Sequence, residues 1–182
     1  MNPIISKIRS ALYSFGRNDK GLAAIEGALI LPLFLILLMG TFDVGQALVV
    51  NQKLSAAAHM TSDLITRQSF VSDELIDDAI EAARLVIDPY DREQFGLSAA
   101  SIEFVGNGNN PQIIWRKTVN MQHDNTLPEG AKGLGYGGEG VLVVTAIYKY
   151  KPFFTGLFTG EFDMTERSFA RGRRNAVIRM EE

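Results

Sequence analysis

Residues 22–42 read LAAIEGALILPLFLILLMGTF, 21 residues with a single charge, Glu26. From Gly27 to Phe42 no side chain is charged. As a helix the run rises about 31 Å, close to the roughly 30 Å hydrocarbon core of a bilayer. No other stretch approaches it, so the pattern predicts one membrane span. It also explains a mean hydropathy of +0.04 in a chain that is 21% charged.

Charge on either side of the run sets an orientation. Residues 1–21 carry Lys7, Arg9, Arg17 and Lys20 against Asp19, net +3, while residues 22–182 carry 14 basic and 20 acidic side chains, net −6. Short basic flanks stay in the cytoplasm. Residues 43–182 are then expected on the far side, the periplasm in a bacterium. The alternative, a secretory signal peptide, needs a shorter apolar region and a small-x-small cleavage site. The run is long for that, and Ala47 is a weak cleavage position. The absence of cysteine among the 182 residues excludes disulfide frameworks, thiolate metal sites and cysteine nucleophiles. A mildly acidic balance argues against nucleic-acid binding.

Glu26 is the informative residue. A carboxylate in a membrane helix costs on the order of 2.5–3.5 kcal/mol near the centre and less near the ends, and such residues are functional candidates. Lys20-Gly21 precedes Leu22-Ala23-Ala24-Ile25-Glu26 and then the apolar run. This string resembles the class III (type IV-like) prepilin signal. The resemblance implies cleavage after Gly21 by a membrane-embedded prepilin peptidase at the cytoplasmic face, leaving Leu22 first and Glu26 fifth in the mature chain. A glycine suits a tight protease cleft, because it has no side chain. The resemblance implies a new Leu22 amine that pairs with Glu26 of a neighbouring subunit, since buried charges are far better paired than single. The bland reading is a Glu snorkelling at a helix end.

The resemblance extends further. Gly21, Ile25-Glu26, Leu31-Pro32-Leu33, Gly40 and Asp43-Val44-Gly45 resemble, in order, the N-terminal signature of TadE-like minor pseudopilins of tight-adherence (Flp, type IVc) pili. Gly27 stands where the major Flp pilin favours an aromatic. TadG-like relatives carry a large added domain, for which this chain is too short. The implied partners are the peptidase, other pseudopilins, the major pilin and the inner-membrane assembly platform. Pro32 removes a helical hydrogen bond and predicts a kink or flexible point. Ala23 and Gly27 form a small-xxx-small pair that permits close helix approach.

Beyond the span, Ala47, Val50, Leu54, Ala57, Thr61 and Leu64 recur at three and four residues, extending the helix to about residue 67. Ser72 is a candidate N-cap for a second helix, with Leu75, Ile76, Ala79, Ile80, Ala83 and Val86/Ile87 on one side, ended by Asp88-Pro89. The period then changes. Strands are expected at 101–105, 112–121, 141–151 and 162–171, the first two as a hairpin around the Gly/Asn turn at 106–111. Two helices followed by four antiparallel strands argue α+β. The expected organisation is a leader at 1–21, a span at 22–42, an amphipathic extension at 43–70 and a periplasmic domain at 71–182.

Catalytic constellations are not found. His59 and His123 are the two histidines, with no ligand-spaced acids, so no metal or cofactor is expected. Gly133 to Gly138 lacks the Gly-Lys-Ser/Thr of a phosphate loop and reads as a mobile or partner-contacting loop. The arginines at 167, 171, 173, 174 and 179 are read first as solvated charges on an edge, and otherwise, with the acids at 73–93, as a complementary surface between subunits or with another minor pilin. Phe153, Phe154, Leu157 and Phe158 read first as a loop covering the core, and otherwise as a patch for a partner. The expected function is a non-catalytic pseudopilin, and the rival is an uncleaved single-span envelope protein that scaffolds a secretion or pilus complex.

Overall fold

The computed structural model describes residues 19–68, 70–106, 110–122, 125–154, 156 and 160–181. Residues 1–18 of the expected leader, His123, Leu157 and Phe158 lie outside this range. The first helix, α1 (Asp19–Thr66), has 48 residues, against an expectation of about 22–67. The chain divides between Asp43 and Val44 into two compact units. In the first, every large apolar side chain from Leu29 to Leu38 is exposed. An apolar surface of this extent marks an interaction or membrane site. Apart from the bond that Pro32 removes, the helical backbone meets its own hydrogen-bonding needs, which lipid requires. Thr41 follows suit by donating to the Leu37 carbonyl at 2.8 Å.

In the second unit α1 is one-sided, as its periodicity predicts. Val50, Leu54, Ala57 and Thr61 are fully buried, and Ala47 and Leu64 pack against the same core. Gln52, Ala56, His59 and Met60 face outward. A short strand, β1 (Phe70–Val71), leads to α2 (Asp73–Ile87). Ser72 caps α2 by accepting the Leu75 N–H at 3.2 Å, and Asp73 and Glu74 lie in its first turn, where the helix dipole favours anions. Its buried face is Ile76, Ala79, Ile80, Ala83 and Ile87. Lys53 of α1 ties off the other end, donating to the carbonyls of Val86 at 3.0 Å and Asp88 at 2.6 Å. Those carbonyls have no partner within the helix.

Four strands follow: β2 (Phe95–Val105), β3 (Asn110–Val119), β4 (Gly140–Tyr150) and β5 (Phe162–Ala170). They form an antiparallel sheet in the order β3-β2-β4-β5, so the α+β expectation holds. The last strand, β6 (Arg179–Met180), pairs in parallel with β1; these two-residue strands carry no periodicity that sequence could reveal. β2 starts six residues before the expected Ser101. Its early half, Phe-Gly-Leu-Ser-Ala-Ala, has mostly weak strand formers. It becomes a strand because it is central, with Ala99 and Ala100 buried on opposite faces between β3 and β4. Packing overrides propensity there.

The helices cover one face of the sheet. Leu97, Ala99, Leu142, Val144, Ala146 and Tyr148 join the α1 and α2 side chains in the main core. Part of the other face is covered by the β3–β4 connection, where Leu127 and Ala131 pack on Ile102, Phe104, Val141 and Val143. Two loop expectations are corrected. Phe153 is 79% exposed and Phe154 is also exposed, so these two do not cover the core. The Gly133–Gly138 segment is packed rather than free of the body. Gly138 donates its N–H to the Phe104 carbonyl at 2.8 Å, and a Cβ on Gly135 would lie 2.5 Å from the Phe104 ring. Gly135 and Gly137 let the connection lie close against the β2 end.

Candidate functional site

The processing residues of the sequence reading lie at the start of α1. Gly21 is its third residue, exposed, with nothing within 4 Å of where a Cβ would be. Leu22 is next in the helix, and Glu26 is exposed one turn further on. Pro32 lies inside the helix. Glycine adds about 1 kcal/mol of helix weakness relative to alanine.

In the head, the C-terminal arginines meet acids of their own chain. Arg167 pairs with Glu129 at 3.3 Å, Arg171 with Glu139 at 3.3 Å and Arg179 with Glu103 at 3.2 Å, while Arg173 pairs with Asp63. The acids at 73–93 are not their partners in these pairs. Lys117 instead reaches Asp73 at 3.1 Å and Asp77 at 3.2 Å, and hydrogen bonds to those two carboxylates raise its pKa. Asp63 is held below the usual carboxylate range, first by its hydrogen bond to Arg67 and further by the charges of Arg173 and Arg67. Burial raises the Tyr148 hydroxyl. Exposed ion pairs such as these are screened by solvent and orient the segment more than they stabilise it.

One polar cluster was not foreseen. Ser168 Oγ lies 3.1 Å from His59 Nδ1 and 2.8 Å from Ser62 Oγ. A serine–histidine contact invites a catalytic reading, which the burial removes. Ser168 is 2% exposed beneath α1, so no substrate carbonyl reaches its oxygen. The cluster is a pairing device between α1 and β5. A cleft of about 260 Å³ on the outer sheet face is lined by Ser98, Arg116, Thr126, Glu129, Thr145 and Arg167. Arg167 is already neutralised there by Glu129. Among the described residues no group of three His, Asp or Glu side chains is placed to hold a metal ion.

One long apolar N-terminal helix with an α+β head fits a single-pass membrane protein. Residues 21–63 match the family model of the TadE-like proteins, a family of pilus components. The match begins at Gly21 and runs through the apolar run into the half of α1 that packs on the sheet. No curated protein and no solved structure matches the chain.

Proposed function

We propose that this protein is a minor pseudopilin of a tight-adherence pilus, cut after Gly21 by a prepilin peptidase and non-catalytic. The observation that carries the reading is one coincidence. The TadE-like match starts at the glycine that precedes Glu26 by five residues, directly ahead of the exposed apolar helix. On this reading residues 1–21 are a cytoplasmic leader, 22–42 the inner-membrane span, 43–70 the helical extension and 71–182 a periplasmic domain. Leu22 carries the new amine. Glu26, one of few charges a membrane tolerates, sets register against a neighbouring pilin helix by pairing with such an amine. The other pseudopilins, the major pilin and the assembly platform are its partners.

The test is N-terminal sequencing and intact mass of the protein from cells with and without the peptidase. Loss of residues 1–21 in the presence of the peptidase is expected, and Gly21→Ala is expected to reduce or block it. Persistence of the intact N-terminus beside an active peptidase overturns the reading. Glu26→Ala should impair assembly more than cleavage; normal assembly in that variant removes the register role.

The rival is an uncleaved single-span protein that scaffolds the complex through residues 43–182. One observation favours it: α1 is helical from Asp19, straight through the Gly21–Leu22 peptide. The same mass measurement separates the two.

A further inference from the structure

The outward faces of the two helices in the head differ in kind. From Val44 to Met60, α1 exposes Val44, Leu48, Val49, Gln52, Ala56, His59 and Met60, and none of these is Asp, Glu, Lys or Arg. α2 exposes Asp73, Glu74, Asp77, Asp78 and Glu81. A helix with one side on a core ordinarily keeps its charges on the other side, as α2 does. In α1 the cation of the stretch, Lys53, is turned aside to the α2 carbonyls of Val86 and to that of Asp88. At about 100° per residue, Leu48, Gln52, Ala56 and His59 fall within about 80° of one another, so they form one strip. The strip ends at Asp63, whose carboxylate is held by Arg67 and Arg173. An exposed apolar surface without charge is a surface to be covered.

A surface without charge suits a partner without charge, and the same strip on another copy is one. Gln52 lies at its centre and makes no hydrogen bond among the described residues. An amide both donates and accepts, so it pairs with its own counterpart. A single polar side chain in an apolar helix seam fixes register. Chain connectivity supplies the direction. This inference rests on the membrane reading above, in which each copy leaves the bilayer at Phe42, so in two copies residue 44 starts at one and the same surface. Pairing in the same sense keeps Val44 beside Val44, whereas pairing in the opposite sense about Gln52 would set the two valines about 24 Å apart. We propose that the strip is a homodimer interface, in which two α1 helices lie side by side, in the same sense and in register at Gln52. Each residue then meets its own counterpart, and from Val44 to Met60 no exposed charge meets a like charge.

The chain has no cysteine, which makes the test direct. The full-length protein with Leu48→Cys, Gln52→Cys or, on the outward face of α2, Asp78→Cys is oxidised with copper phenanthroline in the membranes of the expressing cells. Cross-linked dimer is expected at 48 and at 52, severalfold above 78. Between copies told apart by a tag, Leu48→Cys should join Leu48→Cys and not His59→Cys, which lies about 16 Å along the helix in this register. Ala56→Arg should lower the yield at 48 severalfold, and Ala56→Ser should leave it unchanged. Equal yields at 48, 52 and 78 indicate random collision and overturn the proposal. So does a 48–59 product as strong as the 48–48 product, or indifference to Ala56→Arg. Absence of dimer at 48 and 52 overturns it as well: a thiol shielded from a water-soluble maleimide then identifies lipid or a different protein as the cover, and a reactive thiol shows that the strip is bare. Release of the protein from the same membranes by alkaline carbonate is the separate outcome that overturns the membrane reading itself.

Discussion

Gly135 and Gly137 show what a missing side chain does. A Cβ on Gly137 would lie 1.8 Å from the Gly106 carbonyl oxygen, and backbone cannot move aside as a flexible side chain does. Gly133 differs: its φ of +79° needs glycine, but the space around it is open. Overpacking typically costs about 1–3 kcal/mol, and left-handed backbone roughly 1–2 kcal/mol in a non-glycine residue. Gly137→Ala is therefore expected to lower stability by about 3 kcal/mol, more than Gly133→Ala. Urea unfolding of the head followed by Trp115 fluorescence checks the order; equal losses would contradict the packing account. A run of glycines is visible in sequence. Whether it serves mobility or close approach depends on Phe104 and Gly106, some 30 residues earlier in the chain, and so was not legible there.

At the scale of elements, periodicity was the reliable guide. The stripe from Ala47 to Leu64 and the Ser72 cap were legible because helix faces and caps are set by residues three and four apart. The cap yields a direct expectation. Ser72→Ala should cost about 1 kcal/mol by freeing the Leu75 N–H, and Ser72→Asn should recover most of it. The urea midpoint of the two variants decides this. The first half of β2 was not legible, because Phe95 to Ala100 are strand residues only by virtue of their neighbours. Pairing between elements was equally hidden. Ser62 and Ser168 form a buried hydroxyl pair across 106 positions. Ser168→Ala should cost on the order of 1–3 kcal/mol by leaving the Ser62 hydroxyl and His59 without that partner, and removing both hydroxyls together should cost less than the sum. A double-mutant cycle measures the coupling.

Over the whole molecule, the C-terminal segment is held back onto the head by charge and by hydrogen bonds. Ser101 Oγ and Trp115 Nε1 both donate to the Ile178 carbonyl, at 2.7 and 2.8 Å. Arg173 and Arg67 meet Asp63. The folded pKa of Asp63 is depressed, so its contribution is present above the unfolded value near 3.8 and is lost as pH falls through the lowered folded value. Asp88 behaves alike beside Arg92. Stability of the head should thus decline on acidification below about pH 4, and Asp63→Asn should make that decline shallower. Thermal melts between neutral and strongly acid pH check it; an unchanged acid slope in the variant would refute the role. By itself the sequence determined what local spacing encodes: one apolar run long enough to span a bilayer, the Gly21–Glu26 string before it, the amphipathic stripe, the capped helix and the strand-rich remainder. Tertiary structure alone decided the order β3-β2-β4-β5, the acids that the arginines meet, the burial of Ser168 and the exposure of Phe153. The physical reason is range. Periodicity and capping act over a few residues, whereas Asp63 and Arg173, 110 positions apart, become neighbours only once the sheet has set α1 beside β5.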